Sequence, residues 1–182
     1  MKKLILLLFA TLLLCCCNKQ DIPVTTNPVD QLPPETQTGA NTFGCLLDGQ
    51  IFKPGLTHNS YQCFYQLVDG EYYFLVTASN MKNNILKDIS VGTQKRSISE
   101  GQTLQLSENI FGNAIGRYFI GNNVTGVVEN YYTSSVNTGE LKISKLDFTH
   151  NIVSGTFWYD VKDNQGVIHQ IRDGRFDMQF TQ

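Results

Sequence analysis

The chain has 182 residues, with 14 Lys and Arg against 16 Asp and Glu, a formal charge of −2. That mild acidity offers no basic face to a nucleic acid and argues against electrostatic docking on anionic lipid. A hydrophobic share of 41% excludes a wholly disordered chain.

Lys2 and Lys3 open the chain, and an eleven-residue hydrophobic run follows from Leu4 to Leu14. It is too short to cross a bilayer, which takes roughly 20 residues, but it suits the h-region of a secretory signal. Where a small-residue cleavage site would stand, the run ends in Cys15, Cys16 and Cys17. This ending resembles the lipobox of bacterial lipoproteins, in which a thiol at the cleavage point takes diacylglycerol and becomes the new N-terminus. The residue before that thiol is small, and the one three before it is usually Leu. Cys17 meets this with Cys16 and Leu14, Cys16 is the alternative with Cys15 and Leu13, and bulky Leu14 disfavours Cys15. Three adjacent cysteines cannot splay round a zinc ion as C-x2-C pairs do. They are read as an anchor, with residues 1–16 as signal peptide. Removing Lys2 and Lys3 leaves 12 basic against 16 acidic residues, a formal charge of −4. Several acyl chains, each buried CH2 contributing about 0.8 kcal/mol, make such an attachment stable.

Residues 17–40 are read as the lipidated N-terminus and a Pro/Thr-rich tether. From Asn18 to Ala40 they hold four of the five prolines and no aromatic residue. Such a segment buries too little apolar surface to offset its ordering entropy, and extended it would reach about 70 Å.

Residues 41–182 are expected to form one all-β domain, an antiparallel β-sandwich with an open β-barrel as the alternative. In chain order the strands are TFGCLLDG with QIFKP, YQCFYQLV, EYYFLVTAS, NNILKDISVG, TLQLSE and AIGRYFIGN. They continue as TGVVENYYTS, GELKISKLDF, NIVSGTFWYDVK, GVIHQIR and GRFDMQF. Val153, Gly155, Phe157, Tyr159 and Val161 alternate with Ser154, Thr156, Trp158 and Asp160, and Phe176, Met178 and Phe180 alternate with Arg175, Asp177 and Gln179. Asp48-Gly49 and Asp69-Gly70 are hairpin signals, and KDNQG at 162–166 and RDGR at 172–175 are read as turns. The glycines of GNAIGRYFIG, at 112–121, are expected to mark bulges or sharp curvature. No repeat of fixed period is evident.

Chemistry is sparsely signalled. Cys45 and Cys63 suit either a disulfide closing a loop of about 18 residues, worth roughly 3 kcal/mol, or two buried free thiols. His58, His150 and His169 share no metal-binding spacing and are read as surface or turn residues. No G-x-S-x-G, S-x-x-K or P-loop occurs, and no cofactor or metal is expected. Asp160, Asp163 and Asn164 match turn chemistry better than a calcium loop. The pairs Tyr72-Tyr73, Tyr131-Tyr132 and Trp158-Tyr159 stand out, because strand neighbours face opposite ways and one ring of each should leave the core. Tyr72, Tyr131 and Trp158 are therefore the candidate binding face for a glycan, peptide or protein.

The stretches LPPETQTGANTFGC, SGTF and DGRFD resemble a family of uncharacterised Bacteroidota lipoproteins across nearly the whole mature chain. The resemblance implies an outer-membrane, lipid-anchored protein with a mostly β fold, and it carries no catalytic residues. Asn18-Lys19-Gln20-Asp21 matches in part the signal for surface export in that group, leaving surface or periplasmic orientation open. The expected function is a non-enzymatic binding module of the cell envelope. The alternatives are a hydrolase using carboxylates such as Asp147, Asp160 or Asp177, and an assembly lipoprotein partnering an outer-membrane barrel.

Overall fold

Apolar alternation broken by Asx-rich turns gives eleven strands: β1 (Thr42–Leu47), β2 (Gln50–Phe52), β3 (Tyr61–Val68), β4 (Glu71–Lys82), β5 (Ile85–Thr93), β6 (Thr103–Leu106), β7 (Ala114–Asn122), β8 (Val128–Tyr132), β9 (Gly139–Asp147), β10 (Ile152–Lys162) and β11 (Ile168–Gln179). The structure is a computed structural model that describes residues 27–56 and 60–182. Residues 1–16, read above as a signal peptide, and Cys16, Cys17 and His58 lie outside the described residues.

Three hairpins turn on pairs with positive φ: Asp48-Gly49 (51° and 76°), Asp69-Gly70 (52° and 79°) and Asn83-Asn84 (51° and 61°). Asp, Asn and Gly adopt this conformation at least cost, and it matches the strand twist. The strands join in one sheet, ordered β2-β1-β11-β10-β9-β6-β7-β5-β4-β3, with β8 added beside β7. Pairings between these strands are antiparallel except a single β6–β7 contact between Leu106 and Ala114, and the isolated Phe64–Thr181 bridge is parallel as well. The sheet is open and does not close into a barrel. It folds back on itself, and Thr181 bridges Phe64 of β3, where Tyr65 N donates to Thr181 O at 2.9 Å. The chain is all-β as expected, in an arrangement consistent with a sandwich.

One core fills the fold. The face of β10 read from alternation points inward, with Val153, Phe157, Tyr159 and Val161 all buried. Tyr159 reaches across to β7, where its ring lies 2.7 Å from the place a Cβ on Gly116 would occupy, and its hydroxyl donates to Arg117 O at 2.7 Å. This corrects the bulge reading of the β7 glycines. β7 pairs with β5 without a register break, and Gly116 is a seat for an aromatic ring rather than a bulge.

RDGR is likewise not a turn. β11 runs through it, and the two steps from Phe157 to Tyr159 on β10 face three steps from Gly174 back to Ile171. The extra residue makes a bulge at Asp173, φ 51°. Asp-Gly tolerates the left-handed backbone of a bulge as readily as that of a turn, so its chemistry alone did not separate the two.

The expected tether to Ala40 is corrected for residues 27–40, which dock on the domain. After a 3-10 helix (Pro28–Gln31), Leu32 is buried, and a Cβ on Gly44 would meet Pro33 Cδ at 2.6 Å. The following residues converge on Asp177, which faces outward on β11 yet is 1% exposed. Its carboxylate accepts bonds from Thr36 Oγ1 (2.6 Å), Thr38 N (3.0 Å), Thr38 Oγ1 (3.2 Å), Gly39 N (2.8 Å) and Ala40 N (3.2 Å). Ser154 Oγ donates to it at 2.8 Å. Composition alone favoured disorder, but one buried anion collecting several donors outweighs the local entropy. LPPETQTGA, SGTF and DGRFD thus meet at one carboxylate.

Candidate functional site

The bulge at Asp173 decides what the outer face carries. Arg172 and Arg175 are three residues apart and would face opposite ways on a regular strand. The inserted residue brings both outward and leaves Gly174 inside, where a Cβ would lie 2.4 Å from the Phe157 ring. Arg172 Nη1 donates to Tyr159 O (3.0 Å) and Ile171 O (2.9 Å). Its Nη2 lies 2.6 Å from Asp160 Oδ1. So held, its guanidinium carbon sits 5.4 Å from the centre of the Trp158 indole, a cation–π contact that fixes the ring.

Trp158 is the only tryptophan of the chain and 41% exposed. Glu140 of β9 stands directly opposite it in register. Beside the indole lies a shallow depression of about 270 Å³, lined by Glu35, Glu140, Thr156, Asp173 and Arg175. Glu35 belongs to the docked N-terminal segment, so that segment completes the wall. A flat ring, carboxylate acceptors and a guanidinium donor along a strand face can stack a ligand and hydrogen-bond its rim.

The three candidate rings do not form one face. Trp158 points outward as expected. Tyr72 lies on the inward side of β4, at that strand's start, stacked on Tyr65 with ring centres 5.1 Å apart and 38% exposed. Tyr131 is 6% exposed and packs inward between Tyr118 (6.1 Å) and His169 (6.3 Å). Its hydroxyl is pushed up to about 12 by burial, with the neighbouring Glu129 and Asp163 adding to the shift. The outward member of its pair is Tyr132, paired in register with outward Arg117. Period-2 logic finds that two faces exist but not which one is the core.

The disulfide reading of Cys45 and Cys63 is also corrected. Both thiols are free and buried, and burial pushes both up. Cys45 pairs with Phe52 and Cys63 with Val76, on strands that are not neighbours in the sheet. They serve as small core hydrophobes.

The carboxylates considered for hydrolysis are each engaged. Asp147 accepts from Thr149 N (2.8 Å) and His150 N (3.1 Å), and its bonds from His150 hold it below its ordinary value. Asp160 pairs with Arg172, and Asp177 is enclosed by the N-terminal segment. Asp163 accepts from Gln165 N (2.9 Å) and Val167 N (2.7 Å), as turn chemistry requires. His169, read as a surface or turn residue, instead lies between Asp48 Oδ2 (2.8 Å from Nδ1) and Asp163 Oδ2 (3.6 Å from Nε2). Asp48 is 121 positions away in sequence, and no local spacing could have shown that contact.

No protein-family model, curated protein or solved structure matches this chain.

Proposed function

We propose that this chain is a lipid-anchored protein of the bacterial outer membrane whose β domain is a non-enzymatic binding module, with a glycan stacked on Trp158. The anchor rests on the LLLCCCNKQ junction. The ligand class rests on one observation, the exposed Trp158 indole held by the Arg172 guanidinium over its ring. A sugar ring presents a face of C–H groups that packs on a flat indole, while its equatorial hydroxyls need donors and acceptors at the ring edge. Glu140, Thr156 and Arg175 line that edge. Because Arg172 already fixes the indole, binding immobilises little side chain, which favours affinity. One stacked ring with a few rim hydrogen bonds gives roughly −4 to −5.5 kcal/mol, a Kd of about 0.1–1 mM. Many anchored copies on one membrane would raise the avidity for a repeating polymer.

Titration of the full chain in detergent with cellohexaose, maltohexaose and mannohexaose tests the ligand, read by the single tryptophan's emission. A saturable change with one of them is expected, together with loss of its heat of binding in Trp158→Ala. Flat titrations across the set would reject the glycan. Mass spectrometry of the mature N-terminal peptide tests the anchor, with an acylated peptide beginning at Cys17 expected. Protease shaving of intact cells then distinguishes a surface domain, which is lost, from a periplasmic one, which survives.

A further inference from the structure

A second concavity lies far from Trp158, on the inward side of the sheet. The ends of β4 and β5 run past the core, and their inward residues form a ladder in which Asn80 pairs with Lys87 and Lys82 with Ile85. The β1–β2 hairpin faces them with Asp48, Gln50 and Ile51, above the buried side chains of Leu47 and Phe52. The space between holds about 590 Å³, within the range of small-ligand sites.

Its charge runs against that of the protein. Among the described residues Lys82 and Lys87 form no ion pair, and both line the concavity. The one carboxylate on the rim, Asp48, is already committed: His169 Nδ1 lies 2.8 Å from its Oδ2, and Gln170 N donates to its Oδ1 at 2.8 Å. Two lysines without an ion pair among the described residues therefore line a hollow in a chain of net charge −2. Gln50, Asn80 and Asn83 also line the concavity. The Asn80 amide nitrogen donates to Lys53 O at 2.8 Å, leaving its carbonyl oxygen as an acceptor, and Ile51, 38% exposed, offers an aliphatic surface. An ammonium is a point charge without the planar fork of a guanidinium, so it accepts a carboxylate or a phosphate alike.

We infer that this concavity binds an anionic saccharide of about disaccharide size. Its charged group meets Lys82 and Lys87, its hydroxyls meet the three amides, and one ring face lies on Ile51 and Ile85. The site is independent of the Trp158 depression and does not rest on it.

Calorimetric titration of the full chain and of its Trp158→Ala variant with digalacturonate, trehalose 6-phosphate and neutral cellobiose tests this inference, the variant removing any stacking of these sugars on Trp158. At least one anion is expected to bind about tenfold or more tightly than cellobiose, and more weakly as salt is raised. Which anion binds identifies the charged group as carboxylate or phosphate. Lys82→Gln and Lys87→Gln should each weaken binding about tenfold, the size of a charge-assisted hydrogen bond. Lys82 is exposed, so its variant reports on binding with little risk to the fold. Trp158→Ala should leave the affinity unchanged, so failure here and failure at Trp158 are separate results. No binding of either anion below about 10 mM, equal binding of cellobiose in Trp158→Ala, or full affinity in both lysine variants would overturn the inference.

Discussion

Arg172 and Trp158 sit on neighbouring strands, with the guanidinium carbon 5.4 Å from the indole centre. The contact exists because the Asp173 bulge turns Arg172 outward and because Asp160 and two carbonyls hold the guanidinium in place. Replacing Arg172 with Ala should free the indole, lowering tryptophan anisotropy, and weaken glycan binding several-fold. The direct loss in stability should be about 1 kcal/mol, as for a partly exposed cation–π pair. Arg172→Lys should restore anisotropy only in part, because an ammonium cannot reach both carbonyls and Asp160 in the same geometry. Unchanged anisotropy in Arg172→Ala would show that the clamp does not hold the ring.

Trp158 and Tyr159 are adjacent in sequence and opposite in consequence. Trp158→Ala removes a ring that is 41% exposed, whereas Tyr159 is 0% exposed. Denaturant unfolding should find Trp158→Ala within about 1 kcal/mol of the parent and Tyr159→Ala destabilised by about 3–5 kcal/mol. Tyr159→Phe, which removes only the donor to Arg117 O, should cost about 1 kcal/mol. A large loss in Trp158→Ala would mean that the ring is part of the core's support and not a free platform.

Asp177 couples the N-terminal segment to acid stability. Burial alone would raise its carboxyl, but the hydrogen bonds from Thr36, Thr38, Ser154 and Gly39 outweigh burial and hold it well below the usual range. A carboxyl depressed in the folded state contributes stability that is full above its unfolded value of about 3.9 and is lost as pH falls below it. Thermal melts from neutral pH down to about pH 2 should therefore show a steeper loss in the parent than in Asp177→Asn. At neutral pH, Asp177→Ala should cost about 3 kcal/mol, since it strands several buried donors, and should expose residues 32–40 to proteolysis. Parallel acid profiles for parent and Asp177→Asn would refute the coupling.

The two domain thiols should be inert in the native protein. Burial raises both, and the thiolate is the reactive form. A thiol-specific disulfide reagent should leave Cys45 and Cys63 unmodified until denaturant is added, then modify both. Rapid native labelling, or a reagent count of zero after unfolding without reductant, would contradict the free, buried state.

Gly174 should not tolerate a side chain. A Cβ there would lie within 2.4–2.6 Å of three Phe157 ring atoms, so Gly174→Ala must displace a core ring, at a cost of about 2–3 kcal/mol. Because the ring and the bulge move together, the same change should also alter Trp158 emission. A melting temperature and an emission spectrum both equal to the parent's would rule this out.

The sequence by itself was enough for most of the strands, the two Asp-Gly hairpins and the inward row of β10. These depend on neighbours one or two positions apart, through side-chain alternation and the backbone freedom of Asp and Gly. Asn83-Asn84, read as the start of a strand, is instead the turn before β5. What lay beyond its reach were the relations between distant strands. Asp177 gathers donors from residues 36–40 because the N-terminal segment docks on the outer face, while His169 meets Asp48 and Tyr131 faces inward because the sheet folds over and closes its inner surface from water. RDGR shows the limit most plainly: the same dipeptide serves a turn or a bulge, and only the partner strands on both sides decide which. That decision places Arg172 and Arg175 beside Trp158, so the candidate site is a product of register, which no single segment contains.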